Sequence, residues 1–215
     1  MIGILGGTFD PVHFGHLRPA LEIQQALGLD EIRLVPSHMP PHRSKPQASP
    51  QQRLAMLRAA VADDPAFTVD TREYDREGPS YTLDTLKSLR ADLAGTDLCL
   101  LIGLDAFLGF TSWHRWHEIS GYCHIIVMTR PGMTLPEQGE LADFIPLHRV
   151  KDAETLKTRA SDLLLFHPVS QLEISATQIR KLLATGKRAD FLLPGSVLEF
   201  IRSEGLYTAG PEHDG

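Results

Sequence analysis

The first sixteen residues decide what this chain can build. Met1 to Leu5 is an apolar run of strand length, too short for an ordinary helix. Gly6 and Gly7 break that run and let backbone N–H groups approach a ligand, and Asp10-Pro11 turns the chain. A helical pattern follows, with Leu17, Ala20, Leu21 and Leu27 on its apolar side. Pro19 has no N–H to give a helix interior, so the helix must begin within about a turn of it, near Gly15. His16 then falls in the first turn and His13 just before it. Two imidazoles stand where unpaired N–H groups and the helix dipole favour an anion, which predicts a phosphate site.

A second strand, Glu31–Val35, follows one helix later, and that spacing predicts a right-handed parallel βαβ unit. Two familiar phosphate loops are excluded. No G-x-G-x-x-G occurs, and Gly186-Lys187 precedes Arg188 rather than the Ser or Thr of a P-loop. The 215 residues suit one domain, expected over 1–207, with a helical subregion at about 175–207 and a disordered tail over 208–215. A net charge of −6 argues against nucleic acid as a partner, since such proteins present a basic face. No apolar run reaches the length of a signal peptide or a membrane span. Cys99 and Cys123 lie in apolar runs without a CxxC spacing, as reduced thiols of a cytoplasmic protein do.

Beyond the second strand, residues 36–50 contain five prolines with His38, His42, Arg43 and Lys45, and no acidic residue. Such a stiff positive loop at the carboxyl end of a strand can close over phosphates, or simply face solvent. Ser49, Pro50 and Gln52 form a helix start with a capping box, and Leu54, Leu57 and Val61 give its buried stripe. Phe67–Asp70 reads as a strand. Ser80 or Thr82 can cap a helix carrying Leu83, Leu86, Leu89 and Leu93, and the same N-terminus can face a substrate anion. Leu98–Ile102 reads as a central parallel strand ending in Gly103-Leu104-Asp105. A carboxylate there recognises a ribose or base, or caps the next helix.

Thr111 to Trp116 predicts an amphipathic helix in which Trp113 and Trp116 are core, or one is a platform for a flat heterocycle. His124–Met128 is a further strand with Arg130 in its exit loop, and Leu163–Phe166 another. Residues 133–161 are polar and weakly patterned. Ser175 and Gln178 form a capping box for a helix with Ile179, Leu182 and Leu183 inward, ended by Gly186. Thr177 and Arg180 stand beside that N-terminus, where hydroxyl, guanidinium and N–H groups can converge on phosphate oxygens. Leu198, Phe200 and Ile201 belong to a last helix closed by Gly205.

Gly6-Gly7-Thr8-Phe9-Asp10-Pro11-Val12-His13-x-Gly15-His16 resembles the first motif of the H-x-G-H nucleotidylyltransferases, and Ile174-Ser175-Ala176-Thr177-x-Ile179-Arg180 resembles their second. The segment from Gly103-x-Asp105 to Trp113 resembles the nicotinate mononucleotide adenylyltransferases in particular. The resemblance runs to about Tyr207. It implies an open α/β fold, a parallel Rossmann-like sheet with a small helical C-terminal part, and adenylyl transfer from ATP to nicotinate mononucleotide.

It also implies roles. His13 and His16 would meet the ATP phosphates, with His16 at the reacting α-phosphate, and Thr8, Thr177 and Arg180 would hold the β- and γ-phosphates. Gly6, Gly7, Phe9, Gly103, Asp105, Arg130 and Ser175 would complete the ATP site. His42, Arg43 and Lys45 fall to the mononucleotide phosphate, His42 and Arg43 also helping with ATP. Trp113 would stack on the pyridine, while Thr82, Leu83 and the His114 N–H bind its carboxylate. Mg²⁺ would be held mainly by ATP phosphates and water, with no protein ligand set. A phosphopantetheine adenylyltransferase shares the first motif, and a non-catalytic nucleotide sensor could share the fold. Homo-oligomerisation is left open.

Overall fold

A computed structural model describes residues 1–40, 45–129, 132, 134–170 and 172–208. The short apolar runs pair as a seven-stranded sheet, every pairing parallel, built from β1 (Ile2–Gly7), β2 (Glu31–Pro36), β3 (Phe67–Val69), β4 (Leu98–Gly103), β5 (His124–Thr129), β6 (Arg149–Val150) and β7 (Leu164–Pro168). Their spatial order is β3-β2-β1-β4-β5-β7-β6. The order reverses between β1 and β4, and open parallel sheets bind ligands at the carboxyl ends of strands flanking such a switch.

Helices cover both faces. On one lie α1 (Phe14–Leu27), α2 (Pro50–Val61), α6 (Ala176–Ala184) and α7 (Gly195–Ser203), whose Ile23, Leu57, Ile179 and Val197 are fully buried with Leu34 and Leu101 of the sheet. On the other lie α3 (Thr82–Asp92), α4 (Leu104–Leu108) and α5 (Glu140–His148). Their Leu83, Leu86, Phe107 and Phe144 pack on Ile4, Leu100 and Ile125. Gly3 belongs to the crowded first face. A Cβ there would lie 2.5 Å from Ile32 Cδ1, so the β1–β2 register leaves no space for a side chain.

Several details depart from the expected pattern. β1 does not stop at the glycines: Gly6 pairs with Val35 and Gly7 with Pro36, and the chain turns only after them. Pro19 sits sixth in α1, so the Gly15 carbonyl forgoes its helical partner. Ser49 and Gln52 form the expected capping box, but Met56 rather than half-buried Leu54 completes the buried stripe of α2. Residues 111–116 are not an α-helix. Phe110–Ser112 and Trp116–Gly121 are 3₁₀ turns, with Trp113 extended between them and Arg115 left-handed at φ 50°. The stretch 133–161, unreadable in sequence, supplies α5 with Leu141, Phe144 and Ile145 at helical spacing. Among the described residues no helix is long and apolar enough to cross a membrane.

Candidate active site

The carboxyl ends of β1 and β4 border a cavity of about 310 Å³. Gly6 and Gly7 form part of its wall, and no atom lies within 4 Å of where a Gly6 Cβ would be. Gly6 therefore serves close approach rather than turning, while Gly7 makes room for the Phe9 ring, 3.0 Å from where its Cβ would be. Thr8, Asp105, Thr82, Trp113 and His114 line the same space. Asp105 lies in the first turn of α4, whose N-cap is Gly103, so it does not cap that helix. Trp113 is half-buried and edge-on to Phe110 at 5.3 Å. His114 stacks on Tyr81 at 4.2 Å between ring centres, joining the residue before α3 to the loop after α4.

Neither Ser80 nor Thr82 caps α3; its N-cap is Tyr81, with no side-chain bond. Ser80 instead accepts hydrogen bonds from the His38 and Met39 N–H groups at 3.1 and 3.2 Å, which ties the loop after β2 to the start of α3. The first backbone bonds of α3 come from Asp84 and Thr85 onto the Tyr81 carbonyl. That leaves the Thr82 and Leu83 N–H groups without partners among the described residues, as a helix start must. The Leu83 side chain is buried in the core, and of the two residues Thr82 belongs to the cavity wall. The His114 N–H is likewise outside the backbone bonds of its turns.

The second half of the site lies where α1 and α6 begin. His13 is the N-cap of α1, its N–H donates to His16 Nδ1 at 3.3 Å, and the two imidazoles stack at 3.7 Å. With Nδ1 accepting, the neutral His16 ring carries its proton on Nε2. His13 is 4% exposed, and burial lowers its pKa from 6.5 to about 4, so it is neutral at pH 7. The anion site is less open than expected, because the Phe14 N–H donates to the Leu192 carbonyl at 3.1 Å. A Cβ on Gly15 would be 3.0 Å from the Ile174 carbonyl oxygen, so glycine lets α1 meet the chain two residues before α6. At α6, Ser175 accepts from the Gln178 N–H at 3.1 Å, one half of the expected capping box.

Arg180 reaches back from α6. Its Nη1 donates to the Asp10 carbonyl at 2.6 Å, and its Nη2 to Thr177 Oγ1 at 3.2 Å. The cavity wall includes neither these groups nor His13 and His16; the Thr8-Phe9-Asp10 turn connects the two halves. Phe9 does not present its ring to a ligand. It is 2% exposed, lies against Gly7, meets His16 edge-on at 5.2 Å, and holds a left-handed backbone at φ 49°. Lys45 is also away from the cavity, bordering a second hollow with His38 and Arg53. His42, Arg43 and Arg130 lie outside the described residues.

Sequence reasoning missed three buried polar groups. Asp10 is only 6% exposed and accepts from the Gln47 and Ala48 N–H groups and from the Tyr207 hydroxyl. Arg53, 1% exposed, donates to the carbonyls of Thr8 at 2.7 Å and His38 at 3.2 Å, fixing the turn relative to the loop after β2. Glu73 lines the cavity and accepts from the Thr85 hydroxyl at 2.6 Å, with Oε2 unpaired. The signal for Arg53 was a charge falling on the buried stripe of α2; Asp10 and Glu73 had none beyond their residue type.

The chain matches the cytidylyltransferase-like family model over residues 4–182. It is 51% identical over 215 residues to a probable nicotinate-nucleotide adenylyltransferase of Pseudomonas syringae pv. tomato, covering 100% of this chain and 96% of the relative. A protein of the same description from Aeromonas salmonicida is 48% identical, with 97% of each chain covered. Among solved structures, the Plasmodium falciparum nicotinic acid mononucleotide adenylyltransferase complexed with NaAD superposes with a TM-score of 0.72 at 17% identity, covering 96% of both chains. That likeness concerns the fold.

Proposed function

The chain belongs to the cytidylyltransferase-like family and, within it, to the nicotinate-nucleotide adenylyltransferases, and from that premise we propose how its two half-sites divide the substrates. The reaction joins ATP and nicotinate mononucleotide into the dinucleotide, releasing pyrophosphate. The Thr82, Trp113 and His114 side of the cavity takes the mononucleotide, while its Thr8 and Asp105 side, together with the starts of α1 and α6, takes ATP. The reading is carried by the start of α3, where the Thr82 and Leu83 N–H groups have no partner among the described residues and Thr82 lies in the wall that also holds Trp113 and His114. Backbone donors bind a carboxylate, and the indole offers the pyridine a stacking surface.

A phosphate oxygen of the mononucleotide attacks the ATP α-phosphorus as the bond to the β-phosphate oxygen breaks, and pyrophosphate carries away the electron pair. The attacking group is already an anion at neutral pH, so the protein has no proton to remove. Its work is alignment and charge stabilisation. His16 Nε2–H donates to the α-phosphate, and neutral His13 stacks behind it and fixes its ring. Thr8, Thr177 and Arg180 hold the β- and γ-phosphates, with Ser175 shaping the start of α6. Asp105 accepts from the nucleotide at the end of β4.

Among the described residues no three His, Cys, Asp or Glu side chains converge as a metal cage, and Asp10 is occupied by protein donors. The N–H, imidazole and guanidinium groups at the starts of α1 and α6 would hold phosphate oxygens rather than a cation, so a Mg²⁺ ion would be held by ATP phosphates and water and would supply positive charge there. The reading places the reaction in the cytoplasm, where its ATP is made. Pyrophosphate release, measured with ATP, Mg²⁺ and either nicotinate mononucleotide or phosphopantetheine, tests the assignment. Turnover confined to the pantetheine acceptor would reject it.

A further inference from the structure

The residue that organises the phosphate half-site lies at the far end of the chain. Tyr207 is 8% exposed, and its hydroxyl donates to Asp10 Oδ1 at 2.7 Å across 197 residues of sequence. The same oxygen accepts from the Ala48 N–H at 3.1 Å, and Oδ2 accepts from the Gln47 N–H at 2.9 Å. Oδ2 also faces Arg180 Nη1 at 3.8 Å, while that nitrogen donates to the Asp10 carbonyl at 2.6 Å. One buried carboxylate thus joins the β1–α1 turn, the segment entering α2, α6, and the chain after α7.

We infer that Tyr207 is a positioning residue for ATP, acting through Asp10 to hold Arg180 and the segment before α2 in place around the triphosphate. The inference rests on the assignment of Arg180 to the β- and γ-phosphates. A carboxylate offers about four acceptor positions. Here three are filled by fixed donors and the last faces the guanidinium, so Asp10 has little freedom to follow Arg180 if the arginine swings. Loss of the phenol leaves Oδ1 held by the Ala48 N–H alone, and the carboxylate can turn toward Arg180 and compete with phosphate for it. Burial and the Asp10 carboxylate push the Tyr207 phenol well above its usual range, so it remains a donor across the working pH. The cavity wall that holds Trp113 and His114 includes neither Tyr207 nor Asp10. The effect therefore falls on one substrate.

The test is a four-enzyme comparison of wild type, Tyr207→Phe, Arg180→Ala and the double variant, measuring KM for each substrate and kcat. Tyr207→Phe is expected to raise KM for ATP about tenfold, the share of a hydrogen bond to a charged group. KM for nicotinate mononucleotide stays within about twofold. In the Arg180→Ala background the same substitution adds less than about twofold, because two residues acting through one contact are not additive. Backbone amide exchange of Gln47 and Ala48 should also quicken in Tyr207→Phe without substrate present. Should loss of the phenol unfold the chain, Asp10→Asn keeps an oxygen for Tyr207 but turns an NH₂ toward the Gln47 N–H, so it disturbs the segment before α2 and should likewise raise KM for ATP more than KM for nicotinate mononucleotide. Equal rises in both KM values, or a full additive effect in the Arg180→Ala background, would overturn the inference. A wild-type enzyme that ignores nicotinate mononucleotide would instead reject the substrate assignment on which it rests.

Discussion

Replacing His13 tests the phosphate half-site through its stability. The imidazole is buried and its pKa falls from 6.5 to about 4, so charging it in the folded protein is unfavourable. Because the folded-state value is depressed, the unfolded chain binds the extra proton between pH 6.5 and about 4. The associated stability is complete above pH 6.5 and is lost as pH falls through that window. At about 1.4 kcal/mol per pH unit the full effect is about 3 kcal/mol, of which roughly 2.5 kcal/mol is gone by about pH 4.5. Burial also lowers His124 and His167, so the wild-type curve contains more than one histidine. The comparison with His13→Gln isolates the one of interest. Urea denaturation should show the variant less stable than wild type at about pH 7.5, with the gap narrowing by about 2.5 kcal/mol at pH 4.5. Parallel stability curves from pH 7.5 to 4.5 would refute the neutral, buried His13 on which the alignment of His16 depends.

Two other perturbations have definite expectations. His16→Ala should lower kcat by about 10²–10³ with a smaller change in ATP binding, as for loss of one donor to developing transition-state charge. Steady-state kinetics on folded protein that show less than about a tenfold fall would remove His16 from the chemistry. Gly3→Ala should cost about 1–3 kcal/mol in a thermal or urea melt, because its Cβ would lie 2.5 Å from Ile32 Cδ1. Ile32→Val removes that methyl and should restore much of the loss; no rescue would mean that the strain lies elsewhere.

Local patterns made much of the architecture legible. The β1–α1–β2 unit follows from an apolar run, a turn and a helical stripe, and its parallel register from the length between strands. His13 and His16 at the start of α1, and Thr177 and Arg180 at the start of α6, are set by capping and helix position alone. What the pattern misread was where β1 ends. Two glycines look like the end of the strand, yet both remain in β1, where the missing side chain of Gly6 leaves the cavity open and that of Gly7 makes room for the Phe9 ring. The segment around Trp113 misled in the opposite way. Its aromatic spacing imitates a helix, but Arg115 in a left-handed conformation breaks it into 3₁₀ turns. The convergence of Asp10, Arg180 and Tyr207 was illegible because it is made by contacts 170 and 197 residues apart, which no local period records.

The preference between pyridine acid and amide tests the central claim most directly. Free backbone N–H groups only donate, so a carboxylate satisfies them, whereas an amide turns an NH₂ toward one of them and leaves groups unpaired. Such a mismatch costs about 1–3 kcal/mol per group, and only about 1.4 kcal/mol is required for tenfold discrimination. With ATP and Mg²⁺ saturating, kcat/KM for nicotinate mononucleotide should exceed that for nicotinamide mononucleotide by at least about tenfold. Trp113→Ala should weaken both acceptors yet leave that ratio nearly unchanged, because stacking serves either ring. Equal kcat/KM values for the two mononucleotides in the wild-type enzyme would contradict a carboxylate site at Thr82, Leu83 and His114.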